Sequence, residues 1–267
     1  MTGAQVAGVE VDGLTVRYGG KTAVDGLSLA APLRRVTGLI GPNGAGKTTT
    51  FGAVSGLVPP SAGTVRLFGQ DVSRRSAAAR ARLGLGRTFQ RPELCPSLTV
   101  MDNVALGCEA LAAGGNLWRQ IVPRRHDTAR LREQAALALA ACGITELAGT
   151  PVAALSVGQR RLVELARVHA GRYRMLLLDE PSSGLDPAET ARFGAIVRRL
   201  VTDDGVGVLL VEHDMSLVME VCDFLYTLDF GQLIFSGTPA ETRASAAVRA
   251  AYLGDDDAAL QAAAEHS

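Results

Sequence analysis

The feature that most constrains this chain is the run Gly41-Pro42-Asn43-Gly44-Ala45-Gly46-Lys47-Thr48, with Thr49 directly after it. It has the spacing GxxxxGK[ST] and joins an apolar run, Val36–Ile40, to a stretch of helical spacing, Lys47–Leu57, that Pro59 and Pro60 end. Glycine backbone wraps closely, so successive N–H groups can point at phosphate oxygens, and a helix starting at Lys47 adds the positive end of its dipole. Lys47 is placed to neutralise β- and γ-phosphates, and the Thr48 hydroxyl to ligate Mg2+. Any glycine-rich turn can precede a helix, but the full pattern in a strand–loop–helix context is specific.

A second signal is Met175-Leu-Leu-Leu178-Asp179-Glu180. An apolar strand ending in two carboxylates puts Asp179 near the phosphate loop, able to hold Mg2+ through water. Glu180 then stands just beyond, placed to orient or deprotonate the attacking water. His213 follows another apolar run, Leu209–Val211, and Glu212. At the carboxyl end of a parallel strand, where open α/β sheets bind ligands, His213 can donate to a γ-phosphate. A third anion site is Leu155-Ser156-Val157-Gly158-Gln159, small residues opening a helix. Ser156 suits an N-cap there. The same geometry makes a second phosphate cradle, which one nucleotide does not need and the nucleotide of a second subunit does.

Around these motifs, alternating apolar residues over Val9–Tyr18 and Val24–Leu29 predict an antiparallel sheet, with a further strand at Thr64–Phe68. Val100–Ala112, Asp127–Cys142 and Gln159–Gly171 read as helices, with a linker at Ala113–Arg125. From Arg174 onward, strands at Met175–Leu178 and Val206–Val211 alternate with a helix at Glu189–Val201, which predicts parallel strands joined by crossover helices. The stretch Asp255–Ser267 predicts a flexible tail.

Bulk properties narrow the function. The 267 residues are 47% hydrophobic, enough for a substantial core. Lys+Arg and Asp+Glu both number 27, so the basic surplus that polyanion binding needs is missing. Cys95, Cys108, Cys142 and Cys222 lie far apart without CxxC spacing, which suits free thiols in a reducing compartment. No apolar run approaches the ~20 residues of a membrane span, and Met1–Glu10 lacks the pattern of a signal peptide. A cytosolic chain is expected, reaching a membrane only through a partner.

Taken in order, these residues resemble the ABC ATP-binding cassette over nearly the whole chain. Gly41–Thr49 matches Walker A, Leu155–Gln159 the signature, Met175–Glu180 Walker B, Ser183–Asp186 the D-loop and His213 the switch histidine. Tyr18 and Gln90 match the aromatic residue before the sheet and the Q-loop glutamine. The resemblance implies an α/β fold with a RecA-like P-loop core, an N-terminal antiparallel β-subdomain and a helical subdomain. Residues 1–254 would form the cassette, with its core at about 1–90 and 160–254 and its helical subdomain at about 91–159. It implies ATP and Mg2+ as cofactors, Tyr18 stacked on adenine, and Gln90 touching Mg2+ and the attacking water. Ser156 and Gly158 would grip the γ-phosphate bound by an opposite cassette, the same or a paralogue. Two departures stand out: Val157 replaces the commoner glycine, and Gly184 replaces the usual alanine of the D-loop.

Gly86-Arg-Thr-Phe-Gln90, Val211–Met219 and the ending Ala251-Tyr-Leu-Gly254 resemble more narrowly the branched-chain amino-acid uptake ATPases. Those importers pair two cassettes with two membrane permeases and an external solute-binding protein, so the resemblance implies a subunit peripheral to the cytoplasmic face of the cell membrane. Importers for urea, short amides and other amino acids share much of this wording. The segment Gln90–Asn103, with Leu94 and Leu98, is the expected dock for the permease. A nucleic-acid- or ribosome-associated ABC ATPase is the rival reading. Such proteins carry coiled-coil or zinc insertions or a second cassette, none of which occurs in this sequence, and nucleic acid is not an expected partner.

Overall fold

The computed structural model describes residues 8–88, 93–112 and 125–252. Gln90, most of the expected linker at 113–125 and the expected tail at 255–267 lie outside them. The N-terminal strands β1 (Gly8–Tyr18), β2 (Lys21–Pro32), β4 (Ala62–Leu67) and β5 (Gln70–Asp71) form an antiparallel sheet in the order β2-β1-β4-β5. Alternation along β1 buries Val9, Val11, Leu14 and Val16 on one face, as a half-buried strand requires.

A second sheet has the order β10-β9-β3-β8-β7-β6. Its members are β3 (Val36–Ile40), β6 (Leu85–Arg87), β7 (Met175–Asp179), β8 (Gly207–Val211), β9 (Phe224–Asp229) and β10 (Gln232–Gly237). All pairs are parallel except the hairpin of β9 and β10. Every residue of β3, β7 and β8 is buried, the mark of a parallel strand covered on both faces. Leu176, Leu178, Val208 and Leu210 face one core, and Met175, Leu177, Leu209 and Val211 face the other.

Helix α1 (Lys47–Ser55) lies between the two sheets, with Phe51 and Val54 in the core they share. It stops before Leu57, where helical spacing alone carries it, because Gly56 turns left-handed (φ 83°) and closes the end. Helix α2 (Ala77–Leu83) follows; then come α3 (Val100–Ala112), α4 (Arg125–Ala141) and α5 (Val157–Ala170), which pack on one another. The crossover helix α6 (Pro187–Asp203) and α7 (Met215–Val221) cover the other face, and α8 (Pro239–Ala244) and α9 (Ala246–Tyr252) finish the described chain. No helix among the described residues is long and apolar enough to cross a membrane. Cys108, Cys142 and Cys222 are buried and Cys95 is exposed, none of them in a disulfide.

Two buried polar side chains tie neighbouring segments together. The Arg80 guanidinium, 1% exposed, donates to Ala53 O at 2.6 Å, Val54 O at 2.7 Å, Arg75 O at 3.1 Å and Ser73 O at 3.2 Å. It thereby satisfies the orphan carbonyls at the negative end of α1. Asn103 is fully buried, accepts from Cys95 N at 2.8 Å and donates to Cys95 O and Thr99 O, both at 3.0 Å, pinning residues 95–99 to α3.

Arg80→Met should therefore lower the unfolding free energy by about 2–4 kcal/mol, since it removes four hydrogen bonds to backbone carbonyls, two of them buried. Arg82→Met, on the exposed side of α2, should leave the urea midpoint where it is. Equal midpoints for the two variants would mean that the Arg80 cap carries no stability.

Candidate functional site

The site is assembled at one edge of the parallel sheet, where β3, β8 and β7 end side by side. Beyond β3 the chain makes a glycine turn that few other residues could make. Gly41, Gly44 and Gly46 have φ of 148°, 80° and 99°. A Cβ on Gly41 would lie 2.1 Å from Leu228 O, and one on Gly46 2.7 Å from Ala23 O, whereas one on Gly44 meets nothing within 4 Å. Gly41 and Gly46 thus allow close packing, and Gly44 only the dihedral angle. Gly231 N donates to Ala45 O at 3.1 Å, which ties the turn of the β9–β10 hairpin to the loop.

Gly46 offers no side-chain cap, so the first amides of α1 keep their hydrogens for an incoming anion. Lys47, 7% exposed, folds its ammonium back to donate to Gly41 O at 2.6 Å and Pro42 O at 2.9 Å. Burial lowers its pKa below the ordinary lysine value, and the charge of Glu180 acts the other way. Pro42 and Thr49 are half-buried, and Asn43 and Thr48 are exposed beside them.

At the end of β7, Asp179 is 4% exposed and receives Arg87 Nη2 at 3.1 Å. Burial raises its pKa, partly offset by Arg87. Arg87 also donates to Ser55 Oγ at 2.7 Å and stacks over Phe51, so one guanidinium joins the carboxylate to α1. Glu180 follows with φ 45°, a left-handed residue without glycine's freedom, held by Glu180 N donating to Val211 O at 2.9 Å. Its Oε1 lies 4.0 Å from His213 Nδ1, at the end of β8. The structure therefore brings Lys47, Asp179, Glu180 and His213 to one edge. Tyr18, at the end of β1 and 53% exposed, stands on the other sheet, whose Ala23 carbonyl leaves no room for a side chain at Gly46. Gln90 lies outside the described residues.

Ser156 is the N-cap of α5 in a full capping box: Gln159 N donates to its hydroxyl at 3.2 Å, and Ser156 N donates to Gln159 Oε1 at 3.0 Å. Ser156 and Val157 are exposed, while buried Gly158 lies against the Glu189 carboxylate at the start of α6. Asp186 caps α6 by accepting from Glu189 N at 2.8 Å. The helix start and the 183–186 turn are thus packed together, with Val157 beside Gly184. Of the expected docking residues, Leu98 is 36% exposed and Leu94 packs partly against the core.

These features meet known proteins at several points. The model of the ABC transporter family matches residues 24–183. Over 253 residues the chain is 38% identical to the high-affinity branched-chain amino acid transport ATP-binding protein BraF of Pseudomonas aeruginosa, covering 92% of this chain and 98% of the relative. The chain belongs to the ABC transporter ATP-binding family. It is an ATPase cassette. The LivG protein of Escherichia coli, another high-affinity branched-chain amino acid transport ATP-binding protein, is 35% identical over 250 residues, covering 92% and 98%. Among solved structures, the ADP conformation of MJ1267, an ATP-binding cassette of an ABC transporter, superposes with a TM-score of 0.82 at 26% identity, covering 92% of this chain and 98% of that one. CbiO1 from Clostridium perfringens, part of the transporter complex cbiONQ, gives 0.79 at 28%, covering 93% and 96%.

A second family model, the branched-chain amino acid ATP-binding cassette transporter, matches residues 232–258 of the cassette. Tyr252, inside that match, packs partly against the core and buries its hydroxyl. Burial pushes its pKa up to about 12, with the Gly41 backbone acting in the opposite sense. The residue order does not single out Arg87 or Glu212 as members of the site, although each stands inside a motif quoted for the family.

The glycines separate by what their Cβ would meet. Gly44→Ala should weaken ATP binding less than about tenfold, the scale of one left-handed alanine. Gly46→Ala, which adds a backbone clash, should weaken it more than about a hundredfold. Titration with a fluorescent ATP analogue checks both, and equal losses would contradict the packing argument.

Proposed function

We propose that this cassette is the ATP-hydrolysing subunit of an importer for branched-chain amino acids. What carries the reading is the full-length likeness to BraF and LivG, joined to the match of residues 232–258 with the C-terminal family model. In this reading 1–254 is the cassette, with core segments 1–90 and 160–254 and the helical subdomain at 91–159, of which α3 and α4 are the framework.

Each side chain has a role that its surroundings support. The loop amides of 41–49 and Lys47 receive the β- and γ-phosphates, the ammonium leaving carbonyl partners for anionic ones. Thr48 and Asp179 offer the hard oxygens that suit Mg2+. Among the described residues no group of three or more His, Cys, Asp or Glu could hold a metal, so this ion would take most of its ligands from phosphate and water. When bound it would offset the negative charge of the phosphates. Glu180 orients and deprotonates the attacking water, His213 donates to the γ-phosphate, and Tyr18 presents its ring to the base. Gln90 senses metal and water from the segment before Glu93.

The cradle at Ser156, Val157, Gly158 and Gln159, exposed at its first two residues and with Asp186 beside it, serves the nucleotide of a second cassette. Permease subunits dock on the segment that Asn103 pins, an external solute-binding protein acts through them, and the chain works at the cytoplasmic face of the membrane.

The solute is tested by reconstituting the chain with the membrane subunits that copurify with it. Hydrolysis should rise several-fold when the external binding protein carries leucine, isoleucine or valine. A rise with urea or a short amide alone would move the assignment to another solute. The shared site is tested by dilution: activity per chain in the pure protein should rise with concentration, and Ser156→Arg should remove that rise while ATP binding stays within about threefold of wild type. Constant specific activity in demonstrably monomeric protein would overturn the two-cassette mechanism.

A further inference from the structure

The geometry points to Glu212 as a positioning residue that fixes the switch histidine relative to the turn after the general base. Its side chain is fully buried between β8 and the turn after β7, and both of its oxygens are used. Oε1 accepts from Ser182 N at 2.8 Å. Oε2 accepts from His213 N at 3.1 Å and from Asp214 N at 3.3 Å. One side chain therefore clasps two loops that are far apart in sequence. The first begins at Glu180, whose carbonyl accepts from Ser183 N at 3.2 Å, and runs into the 183–186 turn. The second carries His213 and ends at Asp214, which caps α7 by accepting from Ser216 N at 2.9 Å.

The two reactive side chains are only weakly held to each other. His213 Nδ1 and Glu180 Oε1 are 4.0 Å apart, beyond a hydrogen bond, and the imidazole is 58% exposed. Their separation is set instead by the backbone beneath them. Glu180 N is fixed to Val211 O, and the amides on either side are fixed by Glu212. A movement of the 183–186 turn, where Gly184 meets Val157 of the signature helix, is then passed to His213 through a rigid carboxylate rather than through a chain of loosely packed residues. This inference rests on the roles proposed above for Glu180 and His213.

Glu212→Gln keeps the volume but replaces one acceptor oxygen with an NH2 group, so it can serve one loop and must repel the other. In the complex purified with its membrane subunits, kcat should fall about 10–100-fold, the scale of a misplacement near 1 Å. ATP affinity, which belongs to the phosphate loop, should stay within about threefold. Because Glu212 acts through His213, adding Glu212→Gln to His213→Ala should cost less than about twofold further. A wild-type kcat in Glu212→Gln, or losses that multiply in the double variant, would overturn the proposal. Full activity in His213→Ala alone would instead overturn the reading of the site on which it rests. Should the glutamine variant not fold, hydrogen exchange in the native chain decides: the amides of Ser182, His213 and Asp214 should open at one shared rate, and independent rates would refute the clasp.

Discussion

The site depends on one constraint: β8 is hydrogen-bonded to β3 on one side and β7 on the other, in register and in parallel. Asp179 is paired with Val211, so the two carboxylates and His213 must emerge together beside the turn that ends β3. Strands buried on both faces leave this register little freedom, because a slip by one residue would exchange the leucines that face the two cores. The chemistry at the edge inherits its precision from packing some distance beneath it.

Electrostatics then sorts the edge into groups that already have internal partners. Lys47 is held by its own loop, Asp179 by Arg87, and Glu212 by backbone amides. Partnered buried charges are far less costly than free ones. They also make the site responsive, since a phosphate or a cation must compete for Lys47 or Asp179 rather than fill an inert cavity. Arg80 sits at the far end of the same helix that begins with Lys47, so both ends of α1 are governed by cations acting on backbone carbonyls.

Much of this was legible in the residue order. GxxxxGK[ST] after Val36–Ile40 placed the loop, and apolar runs ending in Asp179-Glu180 and at His213 placed its partners on parallel strands. Ser156 was legible as an N-cap, and the structure shows that cap directly. What periodicity could not show was β6, whose three residues are too few for a pattern, or the β9–β10 hairpin, whose turn pairs Phe230 at φ 43° with Gly231. Helix α1 shortened because a left-handed Gly56 outweighs apolar spacing. Glu212 and Arg87 were hidden for a different reason. Their roles arise from contacts between segments distant in sequence, and a charged residue next to a motif looks the same whether it is exposed or buried.

Phosphate binding and water activation are divided between the strand ends on either side of β8, Lys47 beyond β3 and Glu180 beyond β7. Equilibrium ATP binding and single-turnover hydrolysis, measured together for Lys47→Ala and Glu180→Gln, test this most directly. Lys47→Ala should lose ATP binding, whereas Glu180→Gln should bind ATP as the wild type does while hydrolysis falls about a hundredfold or more. Equal loss of binding in the two variants, or undiminished hydrolysis in Glu180→Gln, would contradict that division.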